Sequence, residues 1–167
     1  MKTLILVRHA KSSWDSIGLD DAERPLNERG KKDAPEMAGR LKDKKVEVEI
    51  FISSPAKRAH KTAKYFAEEF GLNKKEVLIV TKLYGASVGT FLEVVTSIED
   101  KYKTAAIFSH NPGITEFANT LSSVHTDNIP TSGIFAVQAN TNKWSDFTKA
   151  EKNFLFFDYP KNPLGEL

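Results

Sequence analysis

No cysteine occurs among the 167 residues, so disulfides, thiolate nucleophiles, cysteine-held zinc and iron–sulfur clusters are excluded together. Long apolar runs are missing too. The aliphatic run at 4–7 meets Arg8 before it can form a secretory core, and nothing approaches the roughly twenty apolar residues of a membrane span. A cytoplasmic location is the default expectation. Charge of one sign is scarce: 24 Lys plus Arg stand against 22 Asp plus Glu, a net +2, which provides no general field for nucleic acid or a membrane surface. With 9 Gly, 7 Pro, 40% hydrophobic and 28% charged residues, collagen-like, low-complexity and wholly disordered classes are also excluded. No repeat at solenoid spacing is visible. A chain of this length buries roughly two-thirds of its surface on folding, and residues 1–167 are expected to form one domain.

What is present is an alternation of aliphatic runs and amphipathic stretches. Residues 4–7 read as a strand buried on both faces, and 11–29, with Trp14, Gly18, Asp20, Asp21 and Pro25, as a long loop over its end. Ala34, Met37, Ala38 and Leu41 follow helical spacing from Gly30 to about Lys44, with Asn27 as its cap. A second strand is expected at 46–52, then a helix behind a Ser cap with Pro55 in its first turn and an apolar stripe ending at Gly71. Strands at 77–80, 105–108, 134–138 and 154–159 and helices at 91–102 and 114–121 complete the reading. The expected architecture is a three-layer α/β/α sandwich with a mostly parallel central sheet, the last two strands antiparallel at an edge.

Three of these strands end in chemistry: Arg8-His9 after the first, Ser53-Ser54 and then Arg58 after the second, Ser109-His110 after a later one. Open α/β sheets place ligands at the carboxyl ends of their strands. Arginine carries a planar, permanently charged fork matched to phosphoryl oxygens, so a pair of them argues for a dianion. An unprotonated imidazole can attack phosphorus, and a second, protonated one can stabilise the transferring group. Taken singly, Arg8 and Arg58 would be read as partners of Asp20, Asp21 or Glu23; together at strand ends they point to phosphate. His60 and His125 lie elsewhere, are read as exposed, and have no spacing that suggests a metal site with His9 or His110.

These residues also carry a resemblance. The start Arg8-His9-Ala10-Lys11-Ser12, the segment Ser53-Ser54-Pro55-Ala56-Lys57-Arg58-Ala59 with Thr62-Ala63, and Ser109-His110-Asn111-Pro112-Gly113 resemble three signatures of the histidine phosphatase superfamily, whose fold is phosphoglycerate mutase-like. Lys11-Ser12-Ser13-Trp14-Asp15 and Arg24-Pro25-Leu26-Asn27-Glu28-Arg29-Gly30 are most similar to the small phosphohistidine phosphatases of the SixA type. The resemblance extends to about residue 132. It implies that His9 is a nucleophile forming a phosphohistidine intermediate, that Arg8, Arg58 and His110 line the phosphate pocket, and that Ser12 contacts phosphate. It implies no metal and no cofactor. Asp15 falls where many members carry Asn and receives no role. Ala10 replaces the Gly of the wider superfamily, as is usual in the SixA-like branch.

Many superfamily phosphomonoesterases use an Asp or Glu to protonate an alkoxide leaving group, and the stretch 82–93 offers no obvious candidate. That absence favours a phosphoramidate, or an already activated ester, and phosphohistidine on a protein is the expected substrate. The alternatives are a small-molecule phosphomonoesterase or mutase of the same superfamily, or a catalytically weak module that binds phosphorylated ligands. The short chain leaves little length for a lid, which argues for an open cleft and against a mutase. Recognition of a partner then relies on Lys11, Lys57 and the loop around Trp14, which is either a loop anchor or part of a substrate rim.

Overall fold

The computed structural model describes residues 1–15 and 18–162. In chain order the elements are β1 (Lys2–Arg8), α1 (Glu28–Asp43), β2 (Ile50–Ser53), α2 (Lys57–Glu69), β3 (Leu78–Ile79), α3 (Val88–Thr96), β4 (Thr104–Ser109), α4 (Gly113–Ala118), β5 (Ile134–Ala139) and β6 (Lys152–Asp158). The strands form one six-stranded sheet in the order β3-β2-β4-β1-β5-β6. β1 to β4 run parallel, β5 is antiparallel to β1, and β6 closes the edge antiparallel to β5. The expected α/β sandwich with a mostly parallel sheet is the architecture observed. Among the described residues no helix is long and apolar enough to cross a membrane.

β1 shows why its sequence lacks alternation. Successive side chains in a strand point to opposite faces. Ile5 and Val7 pack with Met37, Leu41, Ala63 and Phe66 of α1 and α2. Leu4 and Leu6 pack on the other face with Phe91, Val95, Ile114 and Phe117 of α3 and α4. All four strand residues are fully buried, so both faces must be apolar.

Several element boundaries differ from expectation. β2 begins at Ile50 rather than at 46 because its neighbour β4 begins at Thr104; pairing starts at Ile50↔Ala105. Just before it, the Glu49 carboxylate takes the backbone N–H groups of Lys103 and Thr104. α3 starts at Val88, capped by Ser87, and ends at Thr96 rather than 102. There the hydroxyls of Thr96 and Ser97 bond back to the carbonyls of Leu92 and Glu93, offering the backbone a route out of the helix. The Ser cap expected for α2 is absent: its cap residue is Ala56, with no side-chain bond. The loop after β1 is tied down by a Ser12–Leu26 bridge and a 3₁₀ turn at Asp21–Glu23.

Asn27 caps α1 as its sequence position suggests, accepting from the Gly30 N–H at 2.9 Å. Gly30 then packs its bare Cα on the chain just beyond His9: a Cβ there would lie 2.1 Å from the Lys11 carbonyl oxygen. That same carbonyl accepts the Asn27 N–H at 3.0 Å. Overpacking at such a contact costs about 1–3 kcal/mol, so Gly30→Ala is expected to lower Tm by roughly 2–10 °C in calorimetry. An unchanged Tm would show that the start of α1 is free to shift.

Candidate active site

Arg8 ends β1 and Ser109 ends β4, and the two are partners in the parallel register. His9 and His110 therefore leave the sheet side by side, with ring centroids 5.2 Å apart and the His9 N–H on the Ser109 carbonyl at 3.1 Å. β2, on the other side of β4, delivers Ser54, and α2 brings Arg58 in its first turn. Thr62, one turn further along α2, receives the Ala10 N–H at 2.9 Å and donates to the Arg58 carbonyl at 2.7 Å. This buried hydroxyl fixes the helix to the end of β1. From the β5 side, the Ile129 carbonyl accepts Arg8 Nη1 at 3.0 Å. His9, Arg58 and His110 are buried and Arg8 is half-buried. The four residues expected from the sequence thus meet at one sheet edge.

The hydrogen bonds define what each ring can do. His9 Nδ1 lies 2.8 Å from the Ala10 carbonyl oxygen, which can only accept, so Nδ1 carries the proton and Nε2 carries the lone pair. Burial pushes the His9 pKa down to about 3, and His110 and the two arginines push the same way. The ring is therefore neutral near pH 7. His110 Nε2 lies 2.7 Å from Ser54 Oγ. Ser54 Oγ also accepts the Ala56 N–H, and the proton of this fully buried hydroxyl has no acceptor other than Nε2 among the hydrogen bonds of the described residues; donating there satisfies it and leaves Nδ1–H as the donor. Burial, followed by Arg58, holds the His110 pKa at about 4. The expectation of a protonated second histidine is thus corrected for the free site: it is neutral, because an imidazolium here would be both buried and beside a guanidinium.

His110 Nδ1, Arg8 Nε and Arg58 Nε are buried without a hydrogen-bond partner in the protein. Unsatisfied buried donors are costly unless a ligand takes them, and a group of donors on two guanidiniums and an imidazole fits a phosphoryl oxyanion.

Further side chains border these four, and among them Asp21, Arg24 and Tyr84 had no place in the phosphate pocket expected from the sequence. Asp21 bonds Arg58 twice, through its carboxylate to Nη2 at 2.8 Å and its backbone oxygen to Nη1 at 2.7 Å. Its carboxylate also receives the Tyr84 hydroxyl and Arg24 Nε. The Tyr84 bond above all, with Arg58 and Arg24, holds Asp21 well below the usual carboxylate range despite partial burial. The ion pairing considered for a lone arginine therefore does form at Arg58. Tyr84 packs edge-on against His110 with centroids 5.5 Å apart. Ser12 is buried, and its hydroxyl accepts Arg24 Nη1 at 2.8 Å. Ser54, read from the sequence as a helix cap, serves His110 instead. Trp14 is 75% exposed and stacks on the Arg24 guanidinium at 3.5 Å. His125 is exposed and His60 half-buried. The sequence offered Asp21 as one possible ion-pair partner of Arg58, whereas Arg24, three residues further along the same loop, gave no sign of its place until the fold set it between Asp21 and Ser12.

Comparison with known proteins gives concordant findings. The family model described as the histidine phosphatase superfamily (branch 1) matches residues 4–113. An uncharacterized chloroplastic protein of Arabidopsis thaliana is 32% identical over 153 residues, covering 87% of this chain and 70% of that one. Phosphoserine phosphatase 1 of Hydrogenobacter thermophilus is 38% identical over 98 residues, 57% of this chain and 46% of that one. The solved structure of the protein histidine phosphatase SixA complexed with tungstate superposes with a TM-score of 0.80 at 23% identity, covering 96% of this chain and 98% of that one.

Both site histidines titrate below the ordinary 6.5. At about pH 5.5, where an unshifted histidine is mostly protonated, the ring NMR signals of His9 and His110 are expected to remain those of neutral imidazole. Midpoints near 6.5 for both rings would contradict this site. The unfolded chain binds the extra protons first, so the two rings contribute stability that is present above 6.5 and is lost as pH falls toward about 4 and then about 3.

Proposed function

The chain belongs to the histidine phosphatase superfamily (branch 1), and we propose that it is a phosphatase acting through a His9 phosphoenzyme on phosphohistidine carried by a protein. His9 Nε2 attacks phosphorus, the bond to the leaving atom breaks, and its electron pair departs with the leaving group. Arg8, Arg58 and His110 Nδ1–H hold the phosphoryl oxygens, whose charge they are aimed to stabilise. Water then attacks the phosphoenzyme, releasing inorganic phosphate and restoring neutral His9. Ser12, held by Arg24, keeps its hydroxyl proton to donate at the edge of the same pocket.

The observation that carries the substrate class is the state of Asp21. It is the carboxylate bonded to Arg58, and as an anion held far below its usual range it has no proton to give an alkoxide. An imidazole leaving group needs none at the breaking bond. The exposure of Tyr84 and Trp14 fits a substrate that is a side chain displayed on another protein. The stretch shared with phosphoserine phosphatase 1 favours the second reading, a small phosphomonoester as substrate.

A radioactive phosphoryl donor is expected to label the wild-type protein with an acid-labile, base-stable group, and His9→Ala to abolish the label. Loss of an oxyanion donor costs about 10²–10³-fold in turnover, and that is the loss expected for Arg58→Ala. An undiminished label in His9→Ala defeats the nucleophile. Faster hydrolysis of phosphoserine than of phosphohistidine defeats the substrate class in favour of the second reading.

A further inference from the structure

Asp21 stands at the rim of the site, its side chain 46% exposed and one guanidinium removed from the pocket. Its Oδ2 accepts both Arg58 Nη2 and the Tyr84 hydroxyl, whereas Oδ1 accepts Arg24 Nε. A carboxylate oxygen has two acceptor positions. Those of Oδ2 are filled, and one on Oδ1 remains open. Arg58, for its part, gives Asp21 one hydrogen from each Nη and keeps its Nε–H, which is buried without a partner in the protein. The same guanidinium can therefore hold Asp21 on one side and a phosphoryl group on the other.

We propose that Asp21 recognises the leaving group, its open Oδ1 position accepting the distal ring N–H of a phosphorylated imidazole. This rests on the reading of phosphohistidine as substrate. With the distal nitrogen protonated, breaking the P–N bond returns the electron pair to a ring that departs as neutral imidazole. Without that proton the leaving group would be an imidazolate anion. A carboxylate that keeps the distal proton in place does for a P–N bond what a general acid does for a P–O bond, and it does so as an anion. Two arginines border the rim, Arg24 and Arg58, and would repel an imidazolium; Asp21 pairs with both. The same charge disfavours leaving groups that carry a carboxylate or a second phosphate.

The test compares kcat/KM for phosphoimidazole with that for an aryl phosphate in the wild type and in Asp21→Asn, whose fold is checked by thermal unfolding. Both values fall through the disturbed Arg58 contact, but a hydrogen bond to a charged group lost for one substrate alone lowers the phosphoimidazole-to-aryl ratio by about tenfold or more. An equal loss for both substrates overturns the proposal and leaves Asp21 as a support for Arg58. A gain for both, with tighter inhibition by inorganic phosphate, also overturns it, making Asp21 a competitor for the arginine. A wild type that prefers phosphoserine to phosphoimidazole defeats the substrate reading itself, whatever the variant does.

Discussion

The site depends first on the register of β1 against β4. Arg8 opposite Ser109 means that the next residue on each strand is a histidine leaving the same edge in the same direction. A slip of one residue would send every side chain of β1 to the other face. That slip is prevented far from the pocket, where Leu4 and Leu6 fill one core and Ile5 and Val7 the other. β2 is fixed on β4 in turn, Ser53 opposite Phe108, so Ser54 reaches His110 by the same logic. The geometry of the candidate site is a consequence of aliphatic packing on both faces of three adjacent parallel strands.

The second constraint is charge. Two arginines and two histidines crowded at one buried edge would repel one another if all were protonated, and desolvation would add to the cost. The structure resolves this by keeping both imidazoles neutral and pairing Arg58 with Asp21. Neutrality suits each ring's task. In the proposed mechanism His9 offers a lone pair without first losing a proton, and His110 donates from Nδ1 as a neutral ring.

Much of this was legible in the sequence because it is carried by continuous segments. A buried strand followed at once by Arg-His or Ser-His announces both its burial and its polar end, and Asn27 three residues before Gly30 announces its cap. The boundaries of β2 and α3 were not legible, since they are set by where β4 begins and by hydroxyls that bond back to the helix. Nor was the Asp21–Arg58–Tyr84 cluster, which joins segments separated by 37 and 63 positions. Ser54 illustrates the same limit. Its position before a helix suggested a cap, and only the neighbouring strand end supplied the imidazole that its hydroxyl serves.

The central claim is that Nδ1 of His9, committed to the Ala10 carbonyl at 2.8 Å, leaves Nε2 as the attacking atom. Trapping the phosphoenzyme and locating its phosphoryl group by ³¹P–¹⁵N coupling in ring-labelled protein tests that claim most directly. The account predicts a phosphoryl group on Nε2 of His9. A phosphoryl group on Nδ1, or on any other residue, would contradict it.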